Sequence, residues 1–378
     1  MKEITRSLEN QISSYDLALI GAPEDLLFVD IETTGFAARS SCLYLIGCII
    51  FEEGRPVLKQ FFAQAPADEE KVLSAFLAIC RQKKVLVHYN GNNFDIPYLR
   101  QKCTYFGYKE PFSEMQGVDI YKRIAPYKTL LHLENLKQKT IEAFLSISRK
   151  DQNSGGDLIN VYRAYVGQYA LMLKTGNETA IEGEEDLLLH NAEDCIGMLK
   201  MLPMLSYADL LLQPMKITRI SAKKITRGDG SIYHTLVIKM RFTSALPLPL
   251  EVTKKGCRLT VTEKEGVLEV LQYAGELKYF YGNYKEYYYL PEEDVALHKS
   301  VASFVAPQHR QQATARNCYT RKEGLFLPQW DLLFEPVFKK SYEDPFFYFE
   351  LTEERKKKPE DFKTYALHII DYLIHDKK

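Results

Sequence analysis

Over its first hundred residues the chain alternates short apolar runs with polar breaks. Residues 1–20 are polar with scattered apolar positions and predict a partly helical lead-in, which Pro23 and Glu24 turn into the first strand. Residues 26–29 are apolar; Asp30 and Glu32 follow two apart, and Thr33-Thr34-Gly35 breaks the run. Strand alternation sends Asp30 and Glu32 to one face and Ile31 to the other. Residues 42–51, apolar and rich in β-formers, predict a buried second strand. After a turn over 52–56, residues 57–63 predict a third, so that the three form an antiparallel meander. Val72, Leu73, Phe76, Leu77 and Ile79 recur at close to helical period and predict a helix over 67–81. Residues 85–89 read as a fourth strand running into the turn signal Asn90-Gly91. Asn93 is then placed to cap a helix that begins at Phe94 or Asp95, with Pro97 in its first turn. Helical segments follow around 133–145, 158–173 and 182–205.

Beyond Pro214 the pattern becomes strand-like. Residues 215–221, 233–242, 258–262 and 267–271 predict strands of a small antiparallel unit reaching to about 290, with a turn at Arg227-Gly228-Asp229-Gly230. Tyr279, Tyr281, Tyr284, Tyr287, Tyr288 and Tyr289 form a dense aromatic cluster with Lys278 and Lys285 among them. Pro291-Glu292-Glu293-Asp294 has the composition of a helix start and predicts a helix to about Phe304; residues 346–349 predict a buried strand, and 359–375 a final amphipathic helix. A chain of 378 residues exceeds what one core usually organises. The change of pattern sets the expected boundary, with one domain over 1–213 and an accessory domain over 214–378.

At 46% hydrophobic and 26% charged the composition is that of a globular protein, and the net charge of −1 carries no global nucleic-acid signature. The halves differ, however: residues 1–213 sum to about −6 and 214–378 to about +5. An acidic half that holds metal, joined to a mildly basic half, would suit a polyanionic substrate. The seven cysteines are scattered and contain no Cys-x-x-Cys pair, which reads as reduced thiols in a cytoplasmic protein, not a zinc site or a disulfide framework. Residues 1–25 lack an apolar core of signal-peptide length, and the longest apolar run, near 43–51, is too short to span a bilayer; no membrane association is expected.

Three places in the first half carry candidate chemistry. Asp30 and Glu32, held side by side at a strand end, repel unless a cation lies between them, and paired carboxylates with open positions suit Mg²⁺ or Mn²⁺. An ordinary strand ending in two solvated acids has the same pattern. Asp95 falls where strand gives way to helix, the sheet edge at which α/β folds place ligands, although an acid there also favours the helix dipole. His190 and Asp194 lie four apart on one helix face, a spacing shared by surface ion pairs. In the second half Tyr284, Arg316, Arg321 and Lys322 could stack bases and hold phosphates, or the tyrosines could be cross-strand packing.

Taken in chain order, Asp30-x-Glu32, Asn90-Gly91-x-x-Phe94-Asp95 and His190-x-x-x-Asp194 resemble the motifs of the DEDD exonuclease superfamily, within it the YprB-type ribonuclease H-like family, over about residues 26–204. Val118-Asp119-Ile120, Arg149-Lys150-Asp151 with Gly155-Gly156, and Tyr162 with Tyr165 are family-like as well. The resemblance implies an α/β ribonuclease H-like nuclease domain with a mixed sheet flanked by helices, and the strand-like pattern of the second half predicts an α+β, β-rich accessory domain after it. It implies Asp30, Glu32, Asp95 and Asp194 as ligands of two divalent cations, Mg²⁺ or Mn²⁺, with His190 as general base. The implied reaction is 3′–5′ hydrolysis of phosphodiesters at single-stranded ends of DNA or RNA. One feature departs from it: members that use His place the final Asp five residues later, whereas the four-residue spacing here is that of members using Tyr. Thr33, Asn90 and Asn93 are candidate substrate contacts, though the asparagines equally suit the turn. The rival expectation is a nucleic-acid-binding or scaffold protein whose ribonuclease H-like domain is not catalytic.

Overall fold

The structure, a computed structural model, describes residues 1–375 apart from 10, 12, 152, 154, 177–180 and 227–231. The turn expected at Arg227-Gly228-Asp229-Gly230 therefore lies outside the described residues. The chain divides into two compact units, Met1–Asp209 with Ser244–Pro247, and Leu210–Thr243 with Leu248–Lys378.

The first unit is built on six strands, β1 (Lys2–Ser7), β2 (Leu26–Thr33), β3 (Leu43–Glu52), β4 (Arg55–Phe62), β5 (Val85–His88) and β6 (Gln116–Asp119). Their order is β1-β4-β3-β2-β5-β6. The meander β2–β3–β4 is antiparallel, as its short polar turns require, while β5 and β6 join parallel to β2. Strand β1, which pairs with β4, replaces the expected partly helical lead-in. It is an edge strand with no buried residue, so it carries none of the apolar alternation by which strands are read, and its charges are those that blunt a sheet edge.

Helices complete the layers: α1 (Glu69–Cys80), α2 (Asp95–Phe106), α3 (Ile120–Ile124), α4 (Gln138–Phe144), α5 (Gly155–Thr175), α6 (Glu184–Met201) and α7 (Leu205–Leu212). The apolar face of β2, Leu27, Val29 and Ile31, shares the main buried cluster with Val72, Leu73, Phe76 and Leu77 of α1. Burying that face fixes the register that leaves Asp30 and Glu32 on the other. Helix α6 packs on β2, β3 and β4. The segment expected to be helical over 133–145 forms only α4, because the chain first turns through His132 at φ 52°. The helix expected over 182–205 breaks at Pro203, whose ring sits in a 3₁₀ turn between α6 and α7. The continuous helical run Glu184–Leu212 has the length and mean hydropathy of a membrane-crossing helix, but 72% of its apolar window is buried within the protein. All seven cysteines are free, six of them buried.

The second unit is β-rich. Strands β7 (Met215–Thr226), β8 (Ile232–Phe242), β9 (Leu250–Lys254), β10 (Cys257–Thr262) and β11 (Glu265–Leu271) form one antiparallel sheet in the order β7-β8-β11-β10-β9. Two three-stranded sheets use β12 (Tyr273–Phe280), β13 (Tyr287–Leu290), β14 (Val295–His298), β15 (Gln311–Gln312), β16 (Tyr319–Gln329) and β17 (Phe347–Glu350). Short helices α8 (Lys299–Ala302) and α9 (Glu353–Lys356) precede the long α10 (Pro359–Ile374), which lies on the five-stranded sheet against β7, β9 and β10. The helix expected from Pro291 to Phe304 is instead a hairpin, β13–β14, followed by a single turn of helix. Asp294, at φ 52°, turns that hairpin, and its carboxylate accepts from the Tyr289 and Tyr319 hydroxyls. A local acidic signal was overridden by tertiary hydrogen bonding.

Candidate metal centre and active site

Three elements deliver acids to one place. Strand β2 presents Asp30 and Glu32 just before its register shifts between Glu32 and Thr33. Helix α6 lies directly over this face because Asp30 pairs across the ladder with Gly47. A Cβ on Gly47 would stand 2.1 Å from Asn191 Oδ1 and 2.8 Å from Cys195 Sγ, so no larger residue admits the helix at this distance. The approach lets the buried Asn191 donate through Nδ2 to Asp30 Oδ2 at 2.9 Å, while its Oδ1 accepts from Gln60 Nε2 at 2.9 Å. That chain of amides fixes which way Asn191 points. On the same helix, His190 Nε2 lies 3.3 Å from Asp194 Oδ2 and 3.6 Å from Glu32 Oε1.

Asp95 arrives from the first residue of α2. The turn before it is held by Asp119, which accepts from the Asn90 backbone N–H at 3.1 Å and from Asn92 Nδ2 at 3.1 Å. Asn93 does not cap the helix; the capping position is Phe94, and the Asn93 amide instead donates to Asn90 Oδ1. Both asparagines thus shape the turn, with Asn90 at φ 60°.

The charges of these acids act on one another. Desolvation is the largest influence on Asp30, and the charges of Asp194, Glu32 and Asp95 add to it; together they hold its carboxyl well above the usual range. Glu32 is raised likewise, by burial and then by Asp194, Asp95 and Asp151. Asp95 is pushed up to about 6 by burial, although its own and the Ile31 backbone N–H groups favour the charged form. Like charges gathered at a partly buried site need a cation, and four carboxylates from three elements provide oxygen donors of the kind hard divalent ions take. Ligand atoms of Glu32, His190 and Asp194 lie within 4.8 Å of one another. The Tyr44 hydroxyl, buried without a hydrogen-bond partner of normal geometry, lies beside Glu32. The donor set therefore fits divalent metal.

A segment ahead of α5 reaches the back of this cluster. Arg149 Nη1 donates to Asp194 Oδ1 at 2.7 Å and to Glu142 Oε2 at 3.1 Å, and Asp151 Oδ2 lies 2.8 Å from His190 Nδ1. The Lys150 and Asp151 backbone N–H groups donate to the Glu193 carboxylate. Behind Arg149 opens a cavity of about 650 Å³ bounded by Arg6, Glu142, Lys150, Glu193 and Lys200.

The structure thus groups Asp30, Glu32, Asp95, His190 and Asp194. Thr33 stands at the end of β2, its Oγ1 donating to Gly35 O at 2.9 Å. Tyr284, Arg316, Arg321 and Lys322 belong to the second unit, where each base has acidic partners: Arg316 Nε lies 2.7 Å from Glu343, Lys322 Nζ 2.5 Å from Glu350, and Arg321 Nη1 3.6 Å from Glu276. Tyr284 packs with Tyr281, Tyr287 and Tyr289 over Ala296 and Cys318. Sequence reasoning missed Gln60, Asn191 and Gly47. The glycine was the available signal: it interrupts a strand of large apolar residues, where a missing side chain marks close approach.

Residues 27–206 match the RNase_H_2 family model of the RNase H superfamily. No curated protein sequence matches the chain. Among solved structures, the zinc-bound complex of Escherichia coli exonuclease I with single-stranded DNA is 12% identical, with a TM-score of 0.28, over 58% of this chain and 55% of that one. Apo exonuclease I is 12% identical, TM-score 0.30, over 57% and 56%. The family B DNA polymerase of Pyrobaculum calidifontis is 14% identical, TM-score 0.32, over 68% and 34%. The chain spans little more than half the length of the exonuclease I structures it matches. With the sheet order and the mixed strand directions described above, residues 27–206 have a ribonuclease H-like fold.

Proposed function

We propose that the protein is a metal-dependent 3′–5′ exonuclease acting on single-stranded nucleic-acid ends, with the second unit as an accessory domain. The convergence of Asp30, Glu32 and Asp95, each raised by burial and by the Asp194 charge, beside a histidine carries this reading. A solvated set of acids would not be drawn together at a partly buried site with Glu32 out of solvent. Direction and exonuclease mode rest only on the family resemblance carried by the motifs, as does the YprB-type assignment.

In this reading Asp30, Glu32, Asp95 and Asp194 hold two divalent cations, Mg²⁺ or Mn²⁺. Such ions, when bound, activate a water and stabilise the leaving oxygen of an in-line displacement. The chain's own contribution is orientation and proton transfer. Asn191 fixes the rotamer of Asp30, and Arg149 engages Oδ1 of Asp194 while Oδ2 faces His190. His190 takes the proton of the attacking water at Nε2, and the neighbouring Glu32 and Asp194 carboxylates favour the imidazolium that results. The intact carboxylate set argues against a non-catalytic binding module.

The test is time-resolved cleavage of 5′-labelled single-stranded DNA and RNA with Mn²⁺ or Mg²⁺. A ladder shortening by single nucleotides from the 3′ end is expected, lost in EDTA and reduced by roughly 10³-fold or more in Asp30→Asn. The sugar that is cut names the substrate. Absence of cleavage on both, with binding retained by wild type and Asp30→Asn alike, would overturn the proposal.

A further inference from the structure

Three consecutive residues ahead of α5 each engage a different position of α6. Arg149 bonds Asp194, the backbone N–H groups of Lys150 and Asp151 bond Glu193, and the Asp151 carboxylate meets the ring of His190. The two backbone bonds to Glu193 already tie the segment to the helix. Asp151 is therefore not needed as an anchor, yet its carboxylate is buried, which is costly unless its oxygens are used. Oδ1 accepts from the Asn153 N–H at 3.0 Å. Oδ2 lies 2.8 Å from His190 Nδ1, with Lys139 Nζ and Arg149 Nη2 each 3.5 Å away.

We infer that Asp151 is a positioning residue: it fixes the tautomer and the plane of the His190 ring, so that Nδ1 carries the proton and Nε2 is the atom turned toward Glu32 and Asp194. A carboxylate surrounded by two cations and a backbone donor only accepts, so the nitrogen facing it must donate. The opposite nitrogen is then left for proton transfer at the carboxylate cluster. This accounts for a base at the four-residue spacing: the ring is aimed from behind by a residue outside the helix. The catalytic consequence rests on the activity proposed above; the tautomer does not.

The tautomer is read directly from ¹⁵N chemical shifts of the histidine rings in the full-length protein with Mg²⁺ in alkaline buffer, the His190 signals being assigned with His190→Ala. The Nδ1–H tautomer is expected in wild type and its loss in Asp151→Asn, whose amide can turn an N–H toward the ring. In cleavage assays Asp151→Asn should lower kcat by about 10²-fold or more while KM changes less than about threefold. In the His190→Ala background the same substitution should cost nothing further, because a residue acting through another has no effect once the other is gone. An Nε2–H tautomer in wild type, or an equal loss in both backgrounds, would overturn the inference. If Asp151→Asn does not fold, the wild-type shifts decide alone, with Asp151→Glu as the charge-retaining variant expected to keep the Nδ1–H form. If wild type shows that form but cuts nothing, the proposed activity fails and the positioning role stands.

Discussion

The two units handle charge in opposite ways. In the second, acids and bases are matched at the surface one against another, as in Arg316 with Glu343, Lys322 with Glu350 and His309 with Glu292, and most of these side chains remain open to solvent. Such pairs contribute little and conflict with nothing. In the first unit, Asp30, Glu32 and Asp95 are gathered around Asp194, whose charge adds to desolvation in raising all three, and the nearby guanidinium of Arg149 turns to the far side of Asp194. Folding tolerates that arrangement only where something else supplies the missing positive charge. Matched charge marks scaffold, and unmatched charge drawn out of solvent marks chemistry.

This contrast can be broken most sharply at Gly47. In Gly47→Ala the new methyl would collide with Asn191 and Cys195, so α6 must shift off β3; a loss of about 2–3 kcal/mol in stability is expected by urea unfolding, with cleavage falling at least tenfold. Retained stability and activity would mean that the close approach is dispensable.

The repulsion itself is measured in EDTA. Carboxyls whose folded-state pKa is raised stabilise fully below their ordinary value, near 4, and lose that contribution as pH rises through the folded value, which for Asp95 is about 6. Asp30→Asn relieves the cluster without losing the oxygen that accepts from Asn191. Metal-free Asp30→Asn should therefore melt higher than wild type by roughly 2–5 °C at pH 7, with the gap closing toward pH 4. A gap independent of pH would refute mutual repulsion as its cause. The smallest effect belongs to the second unit, where Lys322→Ala, exposed and paired, should change unfolding free energy by less than about 0.5 kcal/mol at any pH.

The meander and the motif acids were legible because burial of one strand face and the spacing along α6 are local properties. Leu27, Val29 and Ile31 had to face a core, and that alone assigned Asp30 and Glu32 to the opposite side. Strand β1 was not legible, since its pairing with β4 leaves no apolar trace in Lys2–Ser7. Nor was the hairpin at Asp294, whose two tyrosine partners are five and twenty-five residues away in the chain. Gln60 and Asn191 are ordinary polar residues until three elements are folded together. Their roles exist only in tertiary structure, whereas Asp151 was visible as part of a motif but without a reason for being there.

The empty side-chain position at Gly47 also has a consequence for descent. Position 47 and position 191 compete for one volume, so a lineage could enlarge the first only by shrinking the second, and would then lose the amide that holds Asp30. Among homologues the pair should therefore vary together or not at all. A copy of this fold that has abandoned its chemistry would be the one free to fill the gap.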